Sequence, residues 1–422
     1  MLSGRHFLML QGPAGPFFAR VGRQLRERGA QVTKVNFHGG EDLYNQGSHI
    51  VRFRAALETW PDFFEHLVRE RKVSAIILFG DCRPIHRAAI ERAHALGVEV
   101  FVFEEGYLRP DFVTLERNGV NGHSAISRDP SFYDGVDLSG PDRPQVRAEH
   151  AFLKSALHTI CYATVGGLLR WRYPLYRHHR DIRPLVQARL WVRGGIRRAL
   201  HTLRDREIAA RLEAQQMPPY FFVPLQVYLD SQLSHSHFGN IDAFISEVVA
   251  AFTEHAPRDH HLILKLHPMD RAYSDYGPLV ERLRKAHNLG DRLHYVDIIN
   301  LPAALRNARG TVVINSTVGL SSLVHGTPVK CLGNAIYDMN GLTHQGSLGE
   351  FFAHPTPVDR KLCQRFCRWL RQENQLNGTV WSRLYEDPAR LLLGPSSVPA
   401  LAPRAKPERV PRSVPTPGLL GG

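Results

Sequence analysis

The chain has 422 residues and a mass of 47.7 kDa, which predicts two packed domains and excludes a single small module. Hydrophobic residues make up 43% of the chain and charged residues 22%, so the composition excludes a wholly disordered protein. The five cysteines are odd in number and scattered, which argues against a disulfide scaffold and favours a reducing cytosol.

The formal charge of +13 is unevenly distributed along the chain. Between residues 170 and 211, 12 arginines and no lysine stand against three acidic residues, a net charge of +9. The C-terminal segment 395–422 adds +3, so the remainder is almost neutral. This pattern indicates an anionic partner that binds through a basic attachment and not through the whole body of the protein.

Short apolar runs alternate with helical patterns twice along the chain, which predicts an α/β fold with parallel sheets. In the first half, strands are predicted at 7–10, 31–37, 75–79 and 98–103, with helices at 17–28, 60–71 and 85–96. In the second half, strands are predicted at 220–225, 261–266, 293–296, 311–314 and 329–332, with helices at 241–255, 277–286 and 318–325.

These elements divide the chain into four segments. An N-terminal Rossmann-like lobe is expected at 1–150, a basic amphipathic helical insertion at 151–215 and a nucleotide-binding Rossmann-like lobe at 216–390. The segment 391–422 is rich in proline and is expected to be disordered.

Neither a targeting segment nor a membrane span is predicted. The apolar run at 6–10 is too short for the core of a signal peptide and fits a first strand. The longest apolar stretch, 151–169, is interrupted by Lys154, His158 and a glycine pair, which argues against a helix that crosses a bilayer.

Small and polar residues follow the predicted strands, where open parallel sheets bind their ligands. The candidates at or near these strand ends are Gln11, Gly12, Asp81, Arg83, Glu104, Glu105, Arg109, Gln226, Asp230, Lys265, His267, Pro268, Asn315, Ser316 and Thr317. Arg109 and Lys265 are expected to bind the substrate or its nucleotide. Two sheets that face each other across such edges would form a cleft for a nucleotide-linked substrate.

Two of these loops have the chemistry of phosphate sites. The segment 315–317 ends a strand and caps a helix, whose first amides can bind an anion, although an ordinary Ser/Thr cap has the same sequence. The glycine-rich segment 11–15 can bring backbone close to a ligand, or it can simply turn the chain. His267 precedes a proline, which places its imidazole at a strand tip, where a purely structural role is the alternative.

Carboxylates lie at strand ends in both halves. Asp230 follows the first strand of the second half, and Glu104 and Glu105 follow the last strand of the first half. Convergence of such groups across a cleft would provide a nucleophile and an acid/base at a sugar carbon. The structural alternative is a helix cap for Asp230 and a salt bridge from one glutamate to Arg109.

Six sequence strings resemble the capsule polysaccharide biosynthesis proteins of the KpsS/LipB type. The strings are Leu10–Pro13, Phe79–Pro84, Phe103–Pro110, Gly119–Gly122, Leu264–Pro268 and Ile314–Leu320. The resemblance extends from about Phe7 to Trp381 and leaves out the proline-rich segment.

The resemblance implies a β-Kdo glycosyltransferase that takes Kdo (ketodeoxyoctulosonate) from CMP-Kdo and starts a linker on a phosphatidylglycerol-type lipid. It implies a GT-B-like pair of lobes and retention of the anomeric configuration. Carried over by motif, Asp230 would be the nucleophile, Glu104 or Glu105 the acid/base, and His267 a phosphate ligand beside Ser316 and Thr317. It also implies a Gram-negative cytoplasmic enzyme, peripheral on the inner face of the inner membrane, with other capsule assembly and export proteins as partners.

The donor is anionic at its phosphate and at its sugar carboxylate, so a helix N-terminus with Arg83 or Lys265 is expected to neutralise it. No Asp-x-Asp string occurs in the sequence. We therefore expect neither a metal nor another cofactor, with His267 and amide dipoles helping the phosphate to leave.

Two alternatives stay open. Another nucleotide-activated transferase, such as a CDP-glycerol glycerophosphotransferase, would show similar His-Pro and Ser-Thr loops. A non-catalytic nucleic-acid or membrane adaptor would use the arginine-rich insertion, but no aromatic RNA-binding string accompanies it, and no nucleic-acid partner is expected. The segment 151–211 mixes aromatic, leucine and arginine residues, as an interfacial membrane hairpin does, and its simpler interpretation is a solvated basic helix pair.

Overall fold

The computed structural model describes residues 2–47, 49–139, 143, 145–147, 151–176, 184–227 and 236–393. These residues form two α/β lobes joined by a helical insertion. The predicted class, two Rossmann-like lobes in a GT-B-like pair, is confirmed, since parallel strands alternate with helices in each lobe. The predicted C-terminal segment lies outside the described residues from position 394 onward.

The first lobe is built on a seven-stranded sheet. Its strands are β1 (His6–Met9), β2 (Gln31–Asn36), β3 (Ile50–Arg52), β4 (Ala75–Phe79), β5 (Glu99–Glu105), β6 (Phe112–Arg117) and β12 (Gln375–Asn377). The order across the sheet is β12-β6-β5-β4-β1-β2-β3, with parallel pairing from β5 to β3 and antiparallel pairing at β6. The carboxyl ends of β1, β4 and β5 therefore lie side by side at one edge.

Helices cover both faces of this sheet, namely α1 (Phe17–Glu27), α2 (Gly39–Tyr44), α3 (Trp60–Glu70) and α4 (Pro84–Ala95). Alternate residues of β5 are therefore buried on opposite faces of the sheet. Phe101 and Phe103 pack in the core beside α1, whereas Val100 and Val102 pack in the core beside α3 and α4. Burial on both faces explains why the parallel strands are continuous apolar runs.

The insertion contains α5 (Ala151–Leu168), α6 (Pro184–Arg204) and α7 (Arg206–Glu213), and it contacts both lobes. Helix α5 packs on α2 of the first lobe. At the end of α6, His201 Nδ1 lies 2.8 Å from Asp297 Oδ2, and Asp205 accepts the backbone N–H of Asp297 at 2.6 Å in the second lobe. In the part of the chain that the structure describes, no helix is both long enough and apolar enough to cross a membrane.

The second lobe is built on a five-stranded parallel sheet of order β11-β10-β7-β8-β9. The strands are β7 (Tyr220–Pro224), β8 (His261–Lys265), β9 (Leu293–Val296), β10 (Gly310–Val313) and β11 (Val329–Cys331). The helices are α8 (Ile241–His255), α9 (Gly277–Ala286), α10 (Leu301–Arg306), α11 (Thr317–Val324), α12 (Leu348–Ala353) and α13 (Arg360–Glu373).

The chain returns to the first lobe near its C-terminus, which corrects the predicted boundary of the second lobe at residue 390. After α13, β12 pairs with β6, and the last described helix, α14 (Ala389–Leu393), follows. Leu376 and Leu392 are buried in the core of the first lobe. This return covers an edge of β6 that would otherwise present unpaired backbone groups.

Strand β5 is longer than the predicted strand 98–103, because it continues to Glu105 by pairing with β6. Glu104 lies opposite Thr114, and Glu105 lies opposite Val113. Both glutamates are therefore held on a strand and not on a loop, which fixes their backbone at the edge of the site.

Candidate active site

Glu104 and Glu105 form a carboxylate pair where β1 and β4 also end. Because neighbouring strand residues point to opposite faces, the two carboxylates meet different surroundings. Glu104 Oε1 accepts the backbone N–H of Glu105 at 2.9 Å, whereas Glu105 forms an ion pair with Arg109. Gly80 lies so close that a Cβ atom there would stand 3.2 Å from Glu104 Oε2, and its φ of +67° also favours glycine.

The fold shifts the pKa values of the two carboxyl groups in opposite directions. Burial raises the pKa of Glu104 to about 7, and the charge of Glu105 adds to the effect. Burial acts on Glu105 too, but Arg109, a hydrogen bond from Trp381 and the imidazole of His267 outweigh it and lower the pKa of Glu105. Glu104 is thus suited to proton exchange near neutral pH, whereas Glu105 stays ionised.

Arg83 lies beside this pair, at the start of α4. Its Nη1 donates to Gln11 Oε1 at 3.1 Å and to the carbonyl oxygen of Gly12 at 3.3 Å. The guanidinium also interacts electrostatically with Glu104. The structure therefore brings four predicted residues of the first lobe, Gln11, Gly12, Arg83 and Glu104, into one cluster.

Asp81 is held by partners within the first lobe, and its role in binding stays a prediction. The carboxylate is buried, and its Oδ2 accepts the backbone N–H of Val120 at 3.1 Å and lies 2.9 Å from His123 Nδ1. Burial would raise the pKa of Asp81, but these contacts, with His123 foremost, lower it overall. Asp81 therefore fixes the segment Gly119–His123, which contains Asn121 with a φ of +55°.

Asp81, Cys82 and His123 are the described residues that could hold a metal ion, since their ligand atoms lie within 4.8 Å of one another. Hydrogen bonds already link these groups, because Cys82 Sγ donates to Asp81 Oδ1 at 3.3 Å and the imidazole contacts Oδ2. These bonds explain the arrangement of all three side chains in the fold.

In the second lobe, the N-terminus of α11 presents polar groups at the end of β10. Ser316 caps the helix, and its Oγ accepts the backbone N–H of Val318 at 3.2 Å. Tyr337 donates to the carbonyl oxygen of Ser316, and a Cβ atom at Gly319 would lie 2.2 Å from the Tyr337 hydroxyl. The first turn of α11 is thus held in place with its amides and its positive dipole end at the strand edge, where an anion can bind.

Gln226 and Asn315 lie next to this helix start, at the ends of β7 and β10. Gln226 Nε2 donates to Asn315 Oδ1 at 2.9 Å. A small pocket between the lobes is lined by Asn315 and Thr317 on one side and by Tyr107 and Asn121 on the other. The predicted residues Gln226, Asn315, Ser316 and Thr317 therefore form one cluster at the cleft.

His267 connects the two clusters. It ends β8, and Pro268 begins a short 3-10 helix whose Met269 N–H is accepted by His267 Nδ1 at 3.2 Å. An accepting Nδ1 assigns the proton of the neutral ring to Nε2, which can then donate to a ligand oxygen. The imidazole also acts electrostatically on Glu105 of the first lobe, so the second lobe's histidine faces the same cleft as the carboxylate pair.

The side chain of Lys265 interacts with groups inside the fold. The ammonium group is buried, donates to the carbonyl oxygen of Leu266 at 3.1 Å and interacts with Asp297 and Asp205. Burial lowers the pKa of Lys265, and the two carboxylates raise it in part. Its charge is partly offset within the fold, and its role in neutralising the donor stays a prediction.

Asp230, the predicted nucleophile, lies outside the described residues, which stop at 227 and resume at 236. Its separation from Glu104 is therefore not described, and its role stays a prediction. The described strand β7 and the residue Gln226 lead the chain to the cleft.

Asn334 follows the predicted strand 329–332, and its Nδ2 donates to the carbonyl oxygen of Gly122 at 3.1 Å and so links the lobes. Two other residues near the cleft were not identified from the sequence. Tyr162 and Tyr176 of the insertion reach Gln11 at the end of β1. A signal was present in the glycine pairs 39–40 and 166–167, since paired glycines often mark close approach of two backbones.

Comparison with known proteins identifies relatives along most of the chain. A family model described as capsule polysaccharide biosynthesis protein matches residues 74–381. The chain is 38% identical over 385 residues to the capsule polysaccharide export protein KpsS of Escherichia coli, covering 90% of this chain and 98% of the relative. It is 36% identical over 390 residues to the capsule polysaccharide modification protein LipB of Neisseria meningitidis serogroup A, covering 91% of this chain and 93% of the relative.

Among solved structures, the chain is similar to the β-Kdo 2,7 transferase of Thermosulfurimonas dismutans KpsC, with a TM-score of 0.39 and 15% identity. That alignment covers 86% of this chain and 99% of the other. The family model covers part of the first lobe, the insertion and the second lobe, and the two sequence relatives match 90% and 91% of the chain. By these matches the chain belongs to the family of capsule polysaccharide biosynthesis proteins.

Proposed function

We propose that the protein is a retaining β-Kdo glycosyltransferase that transfers Kdo from CMP-Kdo to a phosphatidylglycerol-type lipid in capsular polysaccharide biosynthesis. Membership of the capsule family supports the biological setting of this proposal. The cleft supports the chemistry, because it combines groups that suit a leaving phosphate with a carboxyl group that suits proton transfer.

In the first step, a carboxylate oxygen of Asp230 attacks the anomeric carbon of Kdo. The bond between that carbon and the phosphate oxygen breaks, and its electron pair leaves with CMP. His267 and the amides at the start of α11 would stabilise the negative charge that grows on the phosphate. These groups act without a metal or an organic cofactor in the proposal.

In the second step, the lipid hydroxyl attacks the same carbon and its proton passes to Glu104. The bond to Asp230 breaks, which restores the carboxylate. A base with a pKa of about 7 is suited to this transfer at neutral pH, because it is ionised when needed and still binds a proton well. Glu105, held ionised by Arg109, would keep the pKa of its neighbour high.

The observation that carries the proposal is that His267 faces the same cleft as the carboxylate pair. Its imidazole comes from the second lobe and lowers the pKa of Glu105 in the first. A phosphate ligand from one lobe and an acid/base pair from the other therefore meet at one cleft, as transfer between a nucleotide sugar and a separate acceptor requires.

The acceptor side of the proposal includes the membrane. Along α6, Val192, Ile196 and Leu203 recur on one face and are 64%, 58% and 73% exposed. The exposed arginines of α6 include Arg189 and Arg193, which lie on or beside this stripe, and Arg198, which lies on another side of the helix. An apolar stripe bordered by cations fits an anionic leaflet, so the insertion would hold the enzyme at the inner face of the inner membrane, beside its lipid acceptor and other capsule assembly and export proteins.

A donor comparison tests the proposed function. The purified full-length protein is incubated with a short-chain phosphatidylglycerol and either CMP-Kdo or CDP-glycerol, and the released nucleotide is measured. We expect acceptor-dependent CMP release from CMP-Kdo and a loss of at least about 100-fold in Glu104→Gln, since general base catalysis contributes on that order. Turnover of CDP-glycerol in place of CMP-Kdo would show a glycerophosphotransferase instead, and turnover of neither donor would favour an adaptor.

A further inference from the structure

Helix α5 of the insertion packs closely against the backbone of the first lobe. Three glycines allow the contact: a Cβ atom at Gly40 would lie 2.4 Å from the Tyr162 carbonyl oxygen, and one at Gly39 would lie 2.5 Å from Leu169 Cβ. A Cβ atom at Gly166 would lie 1.8 Å from His38 Cε1. Larger residues at these positions would force the helix away, so the sequence fixes α5 at the carboxyl end of β2.

Two tyrosines of the insertion reach the active site through this contact. The Tyr162 ring stacks on His38 with centroids 4.9 Å apart, and the Tyr176 ring lies 5.3 Å from the same imidazole. Gln11 Nε2 donates to the Tyr176 hydroxyl at 2.7 Å, and Gln11 also hydrogen-bonds the Tyr162 phenol. Both phenols therefore bind the side chain of one buried glutamine.

Gln11 uses its other end to hold Arg83. Its Oε1 accepts Arg83 Nη1 at 3.1 Å, and the guanidinium interacts with Glu104. These hydrogen bonds form a polar chain from Tyr176 through Gln11 to Arg83, whose positive charge acts on Glu104. Only two side chains separate the insertion from the carboxyl group.

We infer that Tyr176 and Tyr162 are positioning residues of the acceptor side, which hold Gln11 and thereby keep the charge of Arg83 near Glu104. The insertion would then have two functions, since it contacts the membrane and also completes the catalytic cluster. This inference rests on the proposed function for the role of Glu104 as base, whereas the polar chain itself is a feature of the fold.

The charges around Glu104 make its pKa a measure of whether the polar chain holds Arg83 in place. Arg83 at the start of α4 and Arg109 after β5 lower the pKa of Glu104, while burial and the adjacent Glu105 raise it. Tyr107 is the other titratable group whose interaction with Glu104 is described. If Arg83 loses its anchor and moves away, the pKa of Glu104 rises further, because one of the two compensating cations is lost.

The test measures the titration of Glu104 directly. The full-length protein is labelled with ¹³C at the glutamate side-chain carboxyl, and the Glu104 signal is assigned by its absence in Glu104→Gln. We expect the midpoint to move upward in Tyr176→Phe and further when Tyr162→Phe is added, because Arg83 then acts less strongly on Glu104. Gln11→Met, which keeps the shape but cannot bind Arg83, is expected to give the same shift.

Tyr173→Phe is the matched control. Tyr173 is a buried tyrosine of the same segment, but its hydroxyl donates to Asp42 Oδ2 at 3.0 Å and does not reach Gln11. Its loss should leave the Glu104 midpoint unchanged. An unchanged midpoint in the Tyr162→Phe, Tyr176→Phe double variant and in Gln11→Met would overturn the inference, as would an equal shift in Tyr173→Phe.

The titration also separates this inference from the proposed function. A shifted midpoint in a protein that transfers no Kdo would support the polar chain and reject the proposed function. If the protein does transfer Kdo, the midpoint of the kcat–pH profile should move in the same variants, with the KM for CMP-Kdo changed less than twofold. Transfer with an unmoved midpoint would reject the inference alone.

Discussion

Glu104 and Glu105 are neighbours in the sequence, but their carboxyl groups contact different partners. Glu105 reaches Arg109, which keeps it ionised, whereas Glu104 is turned into a buried space and accepts a backbone N–H. The fold therefore places Glu104 where ionisation of its carboxyl group costs free energy. Such a cost at an active site commonly lowers the stability of the folded protein.

The stability of Glu104→Gln should consequently depend on pH. The pKa of Glu104 rises from 4.5 to about 7 on folding, so the folded state binds the proton more tightly and loses stability as pH rises through this range. Glutamine mimics the protonated form, and we expect the variant to gain about 1–3 kcal/mol over wild type at pH 8 and little at pH 4. Denaturant unfolding at several pH values measures this difference.

Glu105→Gln provides a control of opposite sign. The pKa of Glu105 is lowered in the fold, so its charged form stabilises the protein above the unfolded pKa, and this contribution is lost as pH falls. We expect this variant to be less stable than wild type at pH 8, with the difference shrinking in acid. A gain of stability at pH 8 in both variants would contradict the assignment of the two carboxyl groups.

The residues of the site were predicted to different extents. His267, Ser316 and the glutamate pair lie at strand ends, and strand ends are visible in the apolar pattern. Lys265 and Asp81 occupy the same kind of position, yet their side chains turn to partners distant in sequence, Asp297 and His123. No local pattern specifies such partners, which depend on how the strands assemble.

At the scale of elements, most predicted strands and helices match the structure within one or two residues, and strands β4 and β9 match to the residue. The missed strands are β3, a three-residue strand at the parallel edge of the first sheet, and β6 and β12, which lie at its antiparallel edge. The pairing of β6 with β12 joins residues 112–117 to residues 375–377, a contact of long sequence separation. The hydrophobic periodicity of a short stretch of sequence cannot reveal a contact between such distant segments.

Helix α6 gives an element-scale prediction about the membrane. Arg197 is anchored to the carbonyl oxygens of Arg271 and Ser274 at 3.1 and 2.9 Å, so it supports the helix and is unsuitable for a test of lipid binding. The exposed arginines Arg189, Arg193 and Arg198 are suitable. We expect their replacement by Glu to abolish co-sedimentation with phosphatidylglycerol vesicles, because each cation contributes on the order of 1 kcal/mol near an anionic leaflet.

The matched control replaces three exposed arginines elsewhere, Arg54, Arg258 and Arg306, by Glu, which changes the net charge equally. This variant should still bind the vesicles. Binding of the wild-type protein should weaken at 1 M salt, where the screening length is about 3 Å. Equal binding of both triple variants, or binding to neutral vesicles that is insensitive to salt, would show that the α6 face does not contact lipid.

At the scale of the whole molecule, the insertion is attached to both lobes. Helix α5 is fixed to the first lobe, and the end of α6 is fixed to the second by Asp297, whose buried carboxylate meets Arg271 and His201. Contacts on both lobes mean that a movement of one lobe against the other would also strain or move the insertion. The exposed face of α6 and the cleft are therefore mechanically connected.

Asp297→Ala tests how firmly the second attachment is held. The substitution leaves Arg271 and Lys265 buried without their main counter-charge, and we expect a loss of about 3 kcal/mol in the free energy of unfolding. Asp291→Ala, at an exposed position nearby, should cost less than about 0.5 kcal/mol. Similar losses in both variants would mean that the buried cluster does not anchor α6.

The central claim is that one cleft transfers Kdo with retention, and the configuration of the product tests it most directly. The full-length protein is incubated with CMP-Kdo and a short-chain phosphatidylglycerol, and the product is analysed by mass spectrometry and NMR. The proposed double displacement predicts a lipid that carries one Kdo residue in the β configuration, like the donor. A Kdo-lipid of α configuration would contradict the double displacement at Asp230, and the absence of any Kdo-lipid would contradict the transferase itself.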